Sequence, residues 1–285
     1  LIFKFILGTS LESLEADIDL YLRQMNDLKK AQTSKITSTF HQLVLNLLRR
    51  DNVDDPTRFY GKVLTEEQFE VARSKPCWNA VVHRCHGVLL TFFGHHTRRA
   101  DYLVEQGQDY YSRVQVAAPC IMQDTYLNGV SCFGAARETG KSHYAKLGQI
   151  CRSNIKKWIR KGNPNVIHYE ALLDAEAMAW QGKYSAAVKY YELAILLSGR
   201  GGYQHDMAFA SERFGEFLVS TMKDNDEGVY RLKEAVRYWR GWGAHAKVES
   251  LEQRHTVVFG IQKSTDIIGL NISVSSRHLG GRSSV

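Results

Sequence analysis

The chain has little proline, no closely spaced pair of cysteines and no long apolar run, and each shortage narrows the choice of fold. Only 4 of its 285 residues are proline, which favours long helices. None of its 5 cysteines stands at C-x-x-C spacing, so we expect reduced thiols and a cytoplasmic location. No segment approaches the ~18 consecutive apolar residues of a membrane-spanning helix, so we expect no membrane insertion.

The sequence also lacks the common signatures of catalysis. Neither G-x-S-x-G nor H-E-x-x-H occurs, and no stretch before residue 256 shows the convincing alternation of a strand. The net charge of +7 is modest and spread along the chain, so it indicates anionic partners only weakly. We expect no catalytic residue, cofactor or metal in this segment. Because the first residue is not Met, we also expect it to belong to a longer protein.

What the sequence does contain is helical periodicity. Leu11, Leu14 and Ile18 follow a three-four step, and Ser10 precedes them in the position of an N-cap. Thr65, three residues before a glutamine, predicts a capping box. The pattern predicts an all-α fold.

Breaks in this periodicity divide the chain. They fall at Gly94, at Gly140 and at KGNPN, residues 161–165, where Asn163 and Pro164 form a cap and first-turn pair. After residue 255 the composition becomes rich in Ser and Gly. We predict a helical array over residues 1–255 and a flexible or poorly structured tail over residues 256–285.

The clearest pattern lies in ALLDAEAMAWQGKYSAAVKYYELAILLS, residues 171–198. It resembles a tetratricopeptide repeat, a helical hairpin with small residues where the helices touch. Gly182 would end the first helix in a left-handed conformation, and Tyr184 would fill the turn. Ala187 and Ala194 lie two turns apart on one face, where their size permits close approach, and Tyr191 adds aromatic burial.

Weaker copies flank this hairpin, and the clearest repeats span residues 165–255. Gly228, Leu232 and Ala235 take the places of Ala187, Tyr191 and Ala194. The offset from Ala194 to Ala235 is about 41 residues, which is longer than the ~34 residues of a standard tetratricopeptide repeat.

An upstream copy departs from the repeat pattern. It has Gly94 at its turn, but Arg99 stands where a small residue is expected. This departure weakens the evidence for a repeat there.

The stretch FGAARETGKSHY, residues 133–144, superficially resembles a phosphate-binding loop. Five residues separate Gly134 from Gly140, whereas the P-loop pattern requires four. The preceding segment fits a helix better than a buried strand. We therefore interpret Gly140 and Lys141 as the turn of a further helical hairpin and not as a nucleotide site.

A second group of residues suggests a metal site. Cys77, His83, Cys85 and His86 are soft ligands for zinc, but their spacing is not that of a zinc finger or ribbon. Buried cysteines with partly exposed histidines explain them better.

Charged segments allow two further functions. Glu170, Asp174 and Glu176 are candidate paired carboxylates, but a solvated face or a groove lining is favoured. KKWIRK, residues 156–161, interleaves Trp158 with basic residues as a nucleic-acid surface does. It also places basic residues at the end of a helix, where the helix dipole favours them, so we do not expect nucleic acid as the partner.

Longer segments resemble one family. KGNPNVIHYEALLDAEAMAWQGKYSAAVKYYELAI, ASERFGEFL and AVRYWRGWGAHAKVESLEQRH are together similar to the helical repeat region of large multidomain signalling ATPases. In that family an AAA-like (STAND-type) ATPase domain, often behind a kinase-like domain, precedes a tetratricopeptide-like array. Histidine-kinase or cyclase modules follow in some members. The resemblance covers residues 15–255.

The resemblance implies a right-handed superhelix of tetratricopeptide-like hairpins. Such a segment would act non-catalytically, binding a protein partner or neighbouring domains of the same chain on its concave surface. The alternative is a stand-alone adaptor, and a helical enzyme or nucleic-acid-binding module is less favoured. The candidate groove residues, from the first helix of each pair, are Glu170, Asp174, Met178, Gln181, Arg213 and Glu216.

Overall fold

The computed structural model describes residues 1–52, 54–106 and 120–259, and every regular element in these ranges is helical. The helices are α1 (Ile2–Ile6), α2 (Leu11–Asp27), α3 (Ala31–Leu47), α4 (Glu66–Arg73), α5 (Pro76–Phe92), α6 (His96–Gln106), α7 (Ile121–Thr139), α8 (Ser142–Arg160), α9 (Ile167–Trp180), α10 (Tyr184–Gly201), α11 (Gln204–Phe217), α12 (Asn225–Trp242), α13 (His245–Arg254) and α14 (Thr256–Phe259). The predicted all-α fold is therefore confirmed for the described residues. Of the predicted tail, residues 260–285 lie outside them.

Two helix starts agree with their sequence signals. The Ser10 hydroxyl accepts a hydrogen bond from the amide of Ser13 at 3.3 Å. Thr65 and Gln68 form a complete capping box, in which each side chain accepts from the other residue's amide at 3.2 and 3.1 Å. These caps satisfy amide groups that have no partner within the helix.

Left-handed turn residues recur along the second half of the chain. Gly140, Gly182 and Lys223 have φ angles of 71°, 71° and 60° and close the turns of the hairpins α7–α8, α9–α10 and α11–α12. Each of these turns therefore occupies the same place in a unit of about 41 residues, as expected of a repeat.

The connections between hairpins show the same interval. Gly162, Gly202 and Gly243 have φ angles of 91°, 74° and 93°. They too follow one another at intervals of about 41 residues. A non-glycine residue is strained at such angles, so glycine recurs where one hairpin leads to the next. Both sets of turns agree with the offset between Ala194 and Ala235.

The hairpins place one helix inside and one outside. The inner helices α9 and α11 are buried around nearly their whole circumference, whereas the outer helices α10 and α12 bury one stripe each. The buried stripe of α10 consists of Ala187, Tyr191, Ala194 and Ser198. An inner helix must therefore be covered from a second side.

The equivalent stripe of α12 includes Gly228, Leu232 and Ala235. Gly228 lies so close to Val219 that a side chain at this position would meet it. Tyr184, in contrast, is 41 % exposed at the start of α10, and its ring makes a T-shaped contact with Phe217 at 5.8 Å between centroids.

Aromatic rings provide the second cover of the inner helices. Phe92 of α5 lies 5.2 Å from Phe209 of α11 and 5.0 Å from Trp239 of α12, measured between ring centroids. Tyr126 of α7 stacks on Tyr169 of α9 at 4.1 Å. These contacts join α5, α7, α9, α11 and α12 into one core.

The two ends of the described array are in contact. Phe5 of α1 packs edge-on against Trp242 at 5.3 Å, and the Trp242 indole donates to the carbonyl of Thr9 at 2.9 Å. Arg49, after α3, pairs with Glu249 of α13, with Nη2 and Oε1 2.7 Å apart. The first helices thus cover the last hairpin, and the inner helices are enclosed.

Arg99 is accommodated by a neighbouring glycine. Its guanidinium is buried beside Gly87, where a side chain would collide with it, and it donates to Asn128 at 2.6 Å and to Asp124 at 3.1 Å. The repeat pattern expects a small residue at position 99 to let the helices approach. Here the small residue is Gly87, which leaves room for the Arg99 side chain.

Replacement of Ala187 by phenylalanine should overfill the contact between α9 and α10. Because Ala187 is fully buried, we expect Ala187→Phe to lower the free energy of unfolding by ~1–3 kcal/mol or more. Urea unfolding followed by circular dichroism measures this loss. Lys189→Phe, at an exposed position of the same helix, is the matched control and should change stability by less than ~0.5 kcal/mol. Equal stability of the two variants would show that Ala187 is not at a helix contact.

Candidate interaction site

The six residues predicted to line a groove do not share one surface. Glu170 and Asp174 face the outer helix α8, where Lys156 Nζ lies 3.5 Å from Glu170 Oε1 and 3.2 Å from Asp174 Oδ2. Arg152 of α8 also pairs with Asp174. Asp174 is therefore buried in a contact between neighbouring helices.

The other four residues lie in different surroundings. At the end of α9, Met178 is half-buried against the core and Gln181 borders the solvent-facing turn. Arg213 and Glu216 lie together on α11, with Nη1 and Oε2 3.0 Å apart. This last pair borders a cavity beside the inner helices.

Glu176 is the centre of a buried ionic contact. It follows Asp174 by two residues, so it points to the opposite side of α9, and it is fully buried. Its Oε1 lies 2.9 Å from Arg213 Nε, and its Oε2 lies 2.5 Å from Arg137 Nη2. The Tyr191 hydroxyl donates to Oε1 at 3.1 Å. One carboxylate thus joins the inner helices α7, α9 and α11.

Further ion pairs connect α11 to α13. Arg254 donates to Glu216 at 2.7 Å and to Glu212 at 2.8 Å. Glu212 also accepts from Lys247 at 2.5 Å and from the Trp239 indole at 2.8 Å. We call the charged members of this set the central charge network, and they are Arg137, Glu176, Glu212, Arg213, Glu216, Lys247 and Arg254.

The pKa values of the network reflect burial opposed by paired charges. Burial alone raises the pKa of Glu176, but Arg137 and Arg213 outweigh it and hold the pKa at about 2. Burial likewise opposes ionisation of Glu216, and contacts with His255, Arg254 and Arg213 keep its pKa well below the ordinary value. Both carboxylates are therefore charged at neutral pH.

A cavity of about 350 Å³ lies beside this network. His96, Gly134, Arg137, Arg213, Ser220 and Thr221 form much of its wall. His96 is buried, which lowers its pKa well below the ordinary value, and its Nε2 accepts from Arg213 Nη1 at 2.9 Å. Within the described ranges, His96 Nδ1 has no hydrogen-bond partner.

The cavity wall contains an irregular helical turn. Leu218–Met222 continues α11 as a π-helix, and Ser220 and Thr221 of this turn line the cavity. Single π-helical turns are rare and frequent at functional sites, because they direct side chains away from the regular helical positions. The arrangement can hold a polar or charged side chain, since donors and acceptors occur on the same wall.

The remaining sequence motifs lie elsewhere. Gly140 ends α7 in the left-handed conformation and Lys141 directly precedes α8, so the interpretation of this stretch as a hairpin turn is confirmed. Cys85 is buried, which raises its thiol pKa to about 12, and His86 stacks on Phe59 at 5.6 Å. Among residues 1–52, 54–106 and 120–259, no group of three or more metal-ligating side chains occurs.

None of the helices in the described ranges combines the length and hydrophobicity that crossing a bilayer requires. Trp158 of the KKWIRK segment is half-buried against the core.

Sequence analysis missed five titratable residues of the site: His96, Arg137, Glu212, Lys247 and Arg254. They come from four helices separated by long stretches of chain, and each alone resembles an ordinary surface residue. The sequence does hold one indication for Lys247. It lies between Ala246 and Val248, two small apolar residues that are typical of a buried segment.

Comparisons of the chain with protein-family models, with curated proteins and with solved structures find no match. The site is therefore interpreted from its geometry.

Replacement of Glu176 by glutamine should leave Arg137 and Arg213 without their shared carboxylate. We expect Glu176→Gln to lower the free energy of unfolding at pH 7 by ~3–5 kcal/mol, as breaking a buried ion pair does. Because the folded-state pKa of about 2 lies below the ordinary value of 4.5, this stabilisation is complete above pH 4.5 and is lost as the pH falls towards 2. The difference between wild type and variant should therefore shrink over that interval.

Urea titrations at several pH values between 7 and 3 measure this difference. Glu227→Gln, which removes one partner of a partly exposed ion pair with Arg231, should cost less than ~1 kcal/mol at any pH. A difference for Glu176→Gln that stays constant with pH would contradict the assignment of a charged Glu176.

Proposed function

We propose that the chain is a non-catalytic interaction scaffold, built from tetratricopeptide-like hairpins that wind as a right-handed superhelix. The observation that carries this proposal is the recurrence of left-handed turns at Gly140, Gly182 and Lys223, at a regular interval of about 41 residues. Repeated hairpins stack into an elongated surface, and such surfaces serve protein recognition in repeat proteins.

The cavity beside the central charge network is the proposed point of contact. It is bordered by Arg213 and Glu216, two of the residues expected from sequence, and by the hydroxyls of Ser220 and Thr221. Ion pairs hold Arg213 in place before any partner arrives, so binding costs little ordering of this side chain. A polar side chain of a protein partner or of a neighbouring domain is the occupant that this wall fits.

The family resemblance supports a specific context. The chain would be a regulatory segment of a multidomain signalling ATPase or kinase in the cytoplasm, coupling partner binding to a catalytic domain outside this segment. A stand-alone tetratricopeptide-type adaptor is the alternative. Sequence flanking this segment distinguishes the two, because a P-loop upstream favours the first.

Photo-crosslinking tests the proposed contact. A benzophenone amino acid at Thr221, on the cavity wall, should capture a defined protein or another domain of the same chain in cells that express the protein. The control position is Lys189, exposed on the outer helix α10. Ser220→Arg, which fills the exposed edge of the cavity, should abolish the adduct at Thr221. Equal adducts from both positions, or an adduct unaffected by Ser220→Arg, would count against this site.

Nucleotide binding tests the enzymatic alternative. We expect ATP with magnesium to leave the melting temperature unchanged, because a ligand raises it only by binding the folded state. Gly140 and Lys141 form a hairpin turn, which supports this expectation. A saturable rise that disappears in Lys141→Ala would overturn our interpretation of the turn.

A further inference from the structure

An apolar groove of about 510 Å³ lies between the starts of α3 and α5 and the end of α4, apart from the central charge network. Ile36, Val71 and Pro76 line it, and Trp78 forms its floor. We call it the Trp78 groove. Its volume falls within the ~300–1,000 Å³ typical of binding pockets.

The floor of the groove is held in place by polar contacts. The Trp78 indole donates to the Thr39 hydroxyl at 2.8 Å, and Thr39 in turn donates to the carbonyl of Lys35 at 2.9 Å. Trp78 is only 8 % exposed, whereas Val71 on the wall is 46 % exposed. The groove is therefore a preformed apolar depression with one exposed apolar wall.

The charges at the groove are of one sign. Lys35 and Lys75 are the charged members of its lining. Lys35 Nζ lies over the Trp78 ring, 5.5 Å from its centroid, and neither lysine forms an ion pair with a described residue. The first turns of α3 and α5 also line the groove, and neither has a side-chain cap, so their amides add to the positive potential.

These features favour one class of occupant. An apolar face is needed to fill the depression, and carboxylates are needed to pair with the two lysines. A nucleic acid fits poorly, because the Trp78 ring is buried under Lys35 and offers no face for a base to stack on. An amphipathic helix combines both requirements, since its apolar residues recur on one face and acidic residues flank them.

We propose that the Trp78 groove is a second docking site, which binds an acidic amphipathic helix of a partner protein. The site does not depend on the proposed role of the cavity, since no residue is common to the two. Leucine side chains of the helix would lie against the apolar walls formed by Ile36 and Val71, and its carboxylates would pair with Lys35 and Lys75.

Binding of designed peptides to the whole chain tests this proposal. The probe is a fluorescent helix-forming peptide of about 15 residues with leucines at helical spacing flanked by glutamates. Its two controls replace all glutamates by lysines, or all leucines by serines. Fluorescence anisotropy should show saturable binding of the first peptide alone, since each control lacks one half of the complementarity.

Variants locate the site. Lys35→Glu with Lys75→Glu should weaken binding by at least ~10-fold, because like charges then face the glutamates. Lys141→Glu with Lys146→Glu makes the same change of net charge at exposed positions of the α7–α8 hairpin and should leave binding unchanged. Val71→Asp, at an exposed position that does not endanger folding, should also abolish binding.

Cys77 provides a local reporter. It is exposed on the groove wall, whereas Cys85, Cys120 and Cys132 are buried, so alkylation at Cys77 is distinguishable by mass spectrometry. Bound peptide should slow this alkylation. The proposal is overturned if the acidic peptide does not bind saturably, if the basic peptide binds equally well, or if Cys77 stays unprotected. Binding of RNA or phosphatidylserine vesicles in its place, lost with Lys35→Glu and Lys75→Glu, would also contradict a helical protein partner.

Discussion

The packing of the inner helices depends on how the charge of the buried Glu176 is neutralised. A buried carboxylate without a partner costs several kcal/mol, so the chain must supply cations wherever it buries one. Arg137, Glu176 and Arg213 lie on the inner helices of three successive hairpins, 39 and 37 residues apart. Arg254 of α13 continues the series through its ion pair with Glu216. Charges spaced about 40 residues apart thus fix the inner helices and α13 relative to one another.

This constraint also determines where binding surfaces are left. Because α1, α5 and α13 cover the inner helix α11, most of its surface is buried by other parts of the chain. Two of the open places are the cavity beside Arg213 and the Trp78 groove between α3, α4 and α5. The cavity is polar, and its charged residues Arg213 and Glu216 are held in ion pairs. The Trp78 groove is apolar, and its lysines form no ion pair among the described residues. The two proposed sites would therefore bind chemically different segments.

Local rules predicted much of the fold. Periodicity indicated the helices, and short-range chemistry predicted the caps at Ser10 and Thr65 and the turn at Gly140, because each involves residues within a few positions of one another. These local rules could not predict that α9 is buried around nearly its whole circumference. Asp174 and Glu176 suggest a solvated face, since their partners Arg152 and Arg213 lie on other helices, 22 and 37 residues away. Arg99 weakened the evidence for an upstream hairpin for the same reason. The residue that makes room for its side chain, Gly87, lies on another helix.

The central claim is that Glu176 and Arg213 stabilise the fold through each other. A double-mutant cycle with Glu176→Gln and Arg213→Gln, measured by urea unfolding at pH 7, isolates their interaction from the cost of altering each residue alone. A coupling free energy of at least ~1 kcal/mol is the predicted result, as for residues in direct contact. Additivity within ~0.3–0.5 kcal/mol, as for distant and independent sites, would contradict it.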